Sequence, residues 1–323
     1  MLRVGIIGCG LIGHKRANAL SGVELFGCAD QDMIKAEQFA AHFSIQCYQD
    51  WQTMLEDSKI DIVIIATPHH VLAQITLAAI QANKHILVEK PAARNPQELE
   101  PLLIAIERSS VCIRVGFNHR YHRAFQRAKQ LVDDNALGEL MYIRARYGHG
   151  GRKGYEKEWR ADPAISGGGE LIDQGVHLID LAGWFLGEFV SISGFTHTYF
   201  WDMPVEDNGF MLLKTASQQV AFLHASCTEW KNLFNMEIYG QEGKLVIDGL
   251  GGSYGVEKLT HYKMLPEMGP PETVTWEYPM ADNSWEMEFK SFLHDIQNGV
   301  TPEPGIKEAY QALKVVETLY NLD

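Results

Sequence analysis

Residues 2–13 read LRVGIIGCGLIG, and the fold turns on how this stretch is read. An apolar, β-branched run at 2–8 passes directly into Gly8-Cys9-Gly10-Leu11-Ile12-Gly13, and a helical pattern begins at about Leu11. A G-x-G-x-x-G by itself is a weak signal, but between a strand and a helix it has a mechanism. Gly8 permits the tight turn, Gly10 lets the backbone approach a pyrophosphate, and Gly13 lets the helix pack close to the strand. The helix N-terminus, with Leu11 and Ile12 in its first turn, then faces the phosphates. Asp30 closes a second strand, 22 residues after Gly8, where a carboxylate accepts the adenosine ribose hydroxyls. That carboxylate would repel a 2′-phosphate, and Gln31 and Asp32 follow it rather than an arginine, so NAD is expected over NADP. His14, Lys15 and Arg16 put positive charge on the first helix, either beside the pyrophosphate or exposed.

Working outward, strands at 23–29, 60–66, 85–89 and 111–117 alternate with helices at 33–43, 70–82 and 96–109. Strands this uniformly apolar predict a parallel sheet covered on both faces, and the alternation predicts a doubly wound α/β fold. After Asn118 the pattern changes. A helix near 121–134 and a strand at 140–147 lead to HGGRKG at 149–154 and a helix from 170 to a C-capping Gly187. Strands without intervening helices follow at 190–198, 208–215, 219–228, 234–239 and 244–248, then helices at 283–298 and 304–321. Successive strands joined by turns predict a broad, mostly antiparallel sheet. The expected organisation is a Rossmann domain over 1–120 and an α+β substrate-binding and oligomerisation domain over 121–323.

Composition bounds the partners. The 323 residues carry a net charge of −13, which argues against nucleic acid or an anionic membrane. No apolar run reaches the ~18–20 residues of a membrane span, and no signal-peptide pattern precedes the strand at Leu2. The five scattered cysteines lack a C-x-x-C and suit reduced thiols in a cytoplasm. His69-His70 has no carboxylate or cysteine at ligand spacing, so no metal is expected. His224 and Cys227 fall on opposite faces of a strand and make no nucleophile pair.

Residues 166–180, SGGGELIDQGVHLID, pose a separate question. At about 100° per residue, Asp173, His177, Asp180 and Trp184 share one face of an otherwise apolar helix. Ionisable groups in so apolar a segment are costly unless paired or in use. A structural Asp–His pair and a catalytic site both satisfy that condition, and the helix alone leaves both open.

Further segments bear on the choice. Val88-Glu89-Lys90-Pro91 ends a strand, where doubly wound folds place ligands. Together with the glycine motif and GGG-x-L-x-D-x-G-x-H-x-x-D, it strongly resembles the Gfo/Idh/MocA family of sugar and polyol oxidoreductases over nearly the whole chain. Ala66-Thr67-Pro68, Gly116-Phe117-Asn118 and Trp159-Arg160 also look like family motifs. The resemblance implies that Lys90, Asp173 and His177 form the catalytic group, beside the nicotinamide in an interdomain cleft. It implies cofactor contacts from Thr67, Pro68, His69, Glu89, Lys90, Asn118, Trp159 and Arg160. His69 and Leu72 stand where family members often carry Asn and His, which leaves a backbone role for that turn. On this reading His177 is the general base, Asp173 binds a substrate hydroxyl or orients the imidazole, and Lys90 hydrogen-bonds the reacting oxygen. The three glycines would let the backbone approach the ligand.

The substrate is read from the loop after residue 148. Arg152 and Lys153 in a glycine frame, with Tyr155 nearby, suit either a solvated loop or a loop that folds over an anionic substrate. The combined pattern is similar to family members that oxidise the 3-hydroxyl of a UDP-N-acetylhexosamine in building lipid A or surface polysaccharide. The alternatives are a dehydrogenase of a free sugar or inositol, and a non-catalytic NAD-responsive regulator. The resemblance also implies a homodimer or homotetramer.

Overall fold

The computed structural model describes residues 1–322 and divides into two compact units. The first comprises Met1–Phe117 and Trp285–Tyr310. Its elements are β1 (Arg3–Ile7), α1 (Leu11–Asn18), β2 (Glu24–Ala29), α2 (Met33–Phe43), β3 (Gln46–Cys47) and α3 (Trp51–Glu56), followed by β4 (Ile62–Ile65), α4 (His69–Gln81), β5 (His85–Glu89), α5 (Glu100–Ile106) and β6 (Ile113–Gly116). The strands form one parallel sheet in the order β3-β2-β1-β4-β5-β6. This is the doubly wound order that binds dinucleotides where the strand order reverses, at β1 and β4. Every residue of β4 is fully buried, as a strand covered on both faces must be.

Two short elements, β3 and α3, have no counterpart in the periodicity reading. Two and six residues are too few to show a period, although Asp50 caps α3 through the Thr53 N–H at 2.7 Å. The helix expected over 96–109 opens instead as a 3-10 turn at Pro96–Leu99, and α5 follows with Pro101 in its first turn.

The second unit comprises Asn118–Ser284 and the chain from Gln311. It contains α6 (Arg123–Asp133), β7 (Leu140–Gly148), α7 (Pro163–Ser166), α8 (Val176–Leu186), β8 (Phe189–His197), β9 (Asn208–Thr215), β10 (Val220–Ser226), β11 (Leu233–Gly240), β12 (Gly243–Asp248), β13 (Glu257–Lys263) and β14 (Glu272–Tyr278). The eight strands run β14-β13-β12-β11-β7-β10-β9-β8, antiparallel except for β7 beside β10. Alternation sorts the two faces. Ile143, Ala145, Leu223, Ala225, Met236 and Ile238 are buried under helices that include α8, whereas Phe195, Leu212 and Phe222 lie at least half exposed on the other face. Strands β13 and β14 were not expected. Their sequences, EKLTHYK and ETVTWEY, mix polar residues into both faces, as strands near a sheet edge do.

The last two helices are α9 (Ser284–Asn298) and α10 (Ile306–Tyr320). The sequence reading assigns everything beyond 120 to the second domain, and the structure differs for residues 285–310. Phe289, Phe292 and Leu293 of α9 join Val4, Ile6, Phe39 and Ile64 in one apolar cluster. Buried Arg114 of β6 meets Asp295 of α9, and buried Arg16 of α1 meets Glu288. A single pass along the chain assigns segments in order and does not see the chain return. Among the described residues no helix is long and apolar enough to cross a membrane.

Asp295→Ala leaves the Arg114 charge buried without its carboxylate partner, though Ser291 Oγ and the Glu303 carbonyl still accept from it. Removing one partner of a buried pair costs about 3–5 kcal/mol, so urea denaturation should show a lowered midpoint and an unfolding free energy reduced by about that amount. An unchanged midpoint would show that Arg114 finds solvent.

Candidate active site

The first unit supplies a phosphate cradle. Gly8 has φ +101°, and a Cβ there would lie 2.4 Å from the Ala66 carbonyl oxygen. A Cβ on Gly13 would lie 2.1 Å from the Gly8 carbonyl oxygen, so α1 sits directly on the turn. Gly10, by contrast, has open space where its side chain would be, and α1 has no side-chain cap. Leu11 at its first position is 74% exposed. Open space before the N–H groups of a helix N-terminus is what a pyrophosphate needs. Asp30 is aimed by two backbone donors, Cys9 N–H at 2.7 Å and Asp32 N–H at 2.8 Å. On the far side of the turn, Pro68 caps α4, His69 begins it, and the buried Thr67 Oγ1 has no hydrogen-bond partner in the protein. A buried hydroxyl left over in a folded chain calls for an explanation, and a bound nicotinamide dinucleotide provides one. These residues fit NAD, and the carboxylate at Asp30 disfavours a 2′-phosphate.

Two residues near this cradle form a buried ion pair. Arg16 neither reaches toward a pyrophosphate nor lies exposed. It is 1% exposed, donates from Nε to Glu89 Oε1 at 2.6 Å, and also pairs with Glu288. Glu89, for which a cofactor contact is expected, accepts from Arg16 through Oε1. Its neighbour Lys90 is half-buried at the end of β5. The Trp285 ring covers Arg16 and Lys15, at 4.4 and 5.5 Å.

The second unit holds the polar helix. It begins as one π-helical turn, Leu171–Gly175, and continues as α8 to Gly187. The widened turn is the departure from the uniform 100° period, and such turns recur at functional sites. Asp173, His177 and Asp180 are 6, 5 and 5% exposed. Each meets a different segment. Asp173 accepts from Arg160 Nε at 3.0 Å. The His177 ring lies edge-on to His119, with centroids 3.8 Å apart. Asp180 accepts both arms of Arg120, at 2.9 and 2.7 Å. Asn118 donates to Ser284 Oγ at 2.9 Å. Burial works against the Arg160 charge, but Asp173, Tyr155 and Glu158 together outweigh it and hold the guanidinium above its ordinary value. Trp159 stacks under the same guanidinium at 4.5 Å.

Two of the three glycines of SGGG, Gly168 and Gly169, pack against the protein itself. A Cβ on Gly168 would lie 2.0 Å from Tyr320 Oη, and one on Gly169 2.0 Å from the Glu206 carbonyl oxygen. Buried Glu206 accepts the N–H groups of Gly169 and Leu171 and the Tyr320 hydroxyl, which fixes the turn leading into the π-helical segment. Burial raises the Glu206 carboxyl above its ordinary value despite these donors. In HGGRKG, Gly150 and Gly151 lie against Trp230 and Trp201. Arg152 donates to Glu158 at 2.6 Å, while Tyr155 is buried with its hydroxyl 3.4 Å from Glu170. Lys153 is exposed. Among the described residues no cluster of His, Cys, Asp and Glu is arranged to hold a metal.

His119, Arg120 and Glu206 were absent from the residues singled out in the sequence. The first two follow Asn118 directly, which was the available signal. Glu206 had none, since nothing in MPVED points to the backbone of residue 169.

Fold and cradle together define an NAD-dependent oxidoreductase. Residues 2–117 match the NAD-binding Rossmann-fold domain of the oxidoreductase family, and residues 125–246 match a Gfo/Idh/MocA C-terminal domain. A levoglucosan dehydrogenase of Pseudarthrobacter phenanthrenivorans is 30% identical over 98% of this chain and 87% of its own length. A scyllo-inositol 2-dehydrogenase (NAD(+)) of Bacillus subtilis is 26% identical over 93% of this chain and 88% of its own. The solved structure of a levoglucosan dehydrogenase with NADH and levoglucosan superposes with a TM-score of 0.89 at 24% identity, covering 99% of this chain and 97% of that one. The chain belongs to the Gfo/Idh/MocA oxidoreductase family.

Asp30→Ala removes a charged acceptor worth about 1.5–3 kcal/mol. The NAD dissociation constant, measured by calorimetry, should therefore rise about ten- to hundredfold, with a smaller change for NADP. Equal losses for both cofactors would mean that Asp30 acts only by shaping the glycine turn.

Proposed function

We propose that this protein oxidises a secondary hydroxyl of a free sugar or polyol to a ketone, using NAD. One structural observation carries the choice of an uncharged substrate. The two arginines singled out in the sequence around this site are already matched, Arg152 by Glu158 and Arg160 by Asp173. A diphosphate needs cations that are available to it, and here an anionic substrate would have to compete with both carboxylates. The names of the relatives, a levoglucosan and an inositol dehydrogenase, support the same reading. A UDP-N-acetylhexosamine remains the finer alternative, and it would rest on Lys153 and on displacement of Glu158 from Arg152.

In this reading bound NAD supplies the hydride acceptor. His177 takes the hydroxyl proton as the C–H bond breaks, and returns it in the reverse direction. Lys90 hydrogen-bonds the same oxygen and stabilises its developing negative charge. Asp173, held in one direction by Arg160, accepts from a neighbouring substrate hydroxyl and so orients the ring. The exposed Phe195, Leu212 and Phe222 on the open sheet face support a homodimer or homotetramer. Five free cysteines support a reducing cytoplasm.

The test is NADH formation against levoglucosan, myo-inositol, glucose, glucose 6-phosphate and UDP-N-acetylglucosamine, with a carbonyl trap to pull the equilibrium. Turnover of the uncharged compounds is expected, and turnover of the UDP-sugar alone would overturn the choice. Lys90→Ala and His177→Ala should each lower kcat by about 10²–10⁴ while NAD still binds. Near-normal turnover in both would remove them from the mechanism.

A further inference from the structure

We propose that His119 is a positioning residue for this reaction, acting through His177. The inference rests on the reading of His177 as the proton acceptor. The two rings are T-shaped, with planes at 83° and centroids 3.8 Å apart, and both are nearly buried.

An imidazole has a broad, two-fold χ2 preference, so a helix alone does not decide where its nitrogens point. Proton transfer requires one direction, because a displacement of about 1 Å can cost about 10²-fold in rate. His177 needs a wall. His119 forms it on one side, and Tyr147 stands further off at 6.2 Å. Tyr147 is itself held by Phe234 at 5.4 Å and Tyr254 at 5.1 Å.

The wall is anchored on both sides. Arg120, next in sequence, grips Asp180 with both arms, and Asp180 lies three residues beyond His177 on α8. The segment carrying His119 is therefore tied to the helix carrying His177, and the two rings keep their relation when either moves. On the other side, His122 stacks on His119 at 5.7 Å with planes 21° apart. His122 Nδ1 lies 2.9 Å from Glu257 Oε2, while Glu257 Oε1 accepts the Ala124 N–H at 2.6 Å at the start of α6. Glu257 thus fixes His122, His122 backs His119, and His119 fixes His177. A residue that only filled space would need no such support from two sides.

The experiment compares His119→Ala and His119→Phe, each alone and with His177→Ala, using levoglucosan and myo-inositol as substrates. His119→Ala should lower kcat about 10- to 100-fold. KM, the NAD dissociation constant and the melting temperature should change little, because only the reacting geometry is lost. His119→Phe restores a planar wall and should recover most of kcat. In the His177→Ala background, His119→Ala should cost no more than about twofold, since residues that act as a unit are not additive.

A second readout needs no substrate. The ring NMR signals of His177 should be single in wild type and His119→Phe, and shifted or broadened in His119→Ala. If the alanine variant does not fold, His119→Leu, which fills the volume without a planar face, should show the same kcat loss and the same NMR change. Wild-type kcat in the folded variant, an equal loss on both backgrounds, or an unmoved His177 signal overturns the proposal. His177→Ala with normal turnover sinks the proton-acceptor reading itself. A dead His177→Ala beside a normal His119→Ala sinks only the role of His119.

Discussion

The first unit depends on one buried cation. Arg16 lies on the helix that the glycine turn launches, Glu89 ends the strand that carries Lys90, and Glu288 sits on α9, some two hundred residues further along the chain. A guanidinium with 1% exposure is tolerable only if paired and hydrogen-bonded. Its requirement for two carboxylates therefore brings the cofactor helix, the lysine strand and the returning C-terminal helix to one point. Arg114 and Asp295 repeat the arrangement one strand along. Such pairs are weak evidence of net stability. They do fix register, because Glu288 and Asp295 on α9 meet Arg16 and Arg114 together in this placement.

The same rule organises the second unit around the polar helix. A thin polar stripe on a buried helix is stable only if every ionisable member has a partner. Asp173 and Asp180 have arginines, and His177 lies against a second imidazole. These partners come from residues 119, 120 and 160, outside the helix. The choice between a structural Asp–His pair and a catalytic group thus looks different in three dimensions. The carboxylates meet arginines from other segments, and the histidine lies against the ring of His119.

Much of this was readable in the chain. LRVGIIGCGLIG specifies a strand, a turn with Gly8 in the left-handed region and a helix beginning at Leu11, and the structure has all three. Asp30 was legible because the carboxylate position after a second strand follows from the length of one βαβ step. The runs 208–215 and 219–228 were legible as strands from their apolar content, and β9 and β10 lie there with one face more buried than the other. Strands β13 and β14 were not legible, since their burial pattern hardly alternates. The neighbours of Gly168 and Gly169 were illegible for a different reason. A missing Cβ tells that something approaches closely, but not whether it is a ligand or, as here, a tyrosine or a backbone carbonyl.

By itself, then, the sequence determined the periodic elements, the dinucleotide turn and the residue types available for chemistry. These follow from local dihedral preference, hydrophobic period and short-range spacing, all written within about thirty consecutive residues. Only the tertiary structure decided which charges are spent on one another. Arg16 went to Glu89 and Glu288, Arg152 to Glu158, Arg120 to Asp180 and Glu206 to the GGG turn. A charge satisfies its desolvation requirement with whichever opposite charge or donor the fold brings within hydrogen-bond reach. That distance bears no fixed relation to separation along the chain.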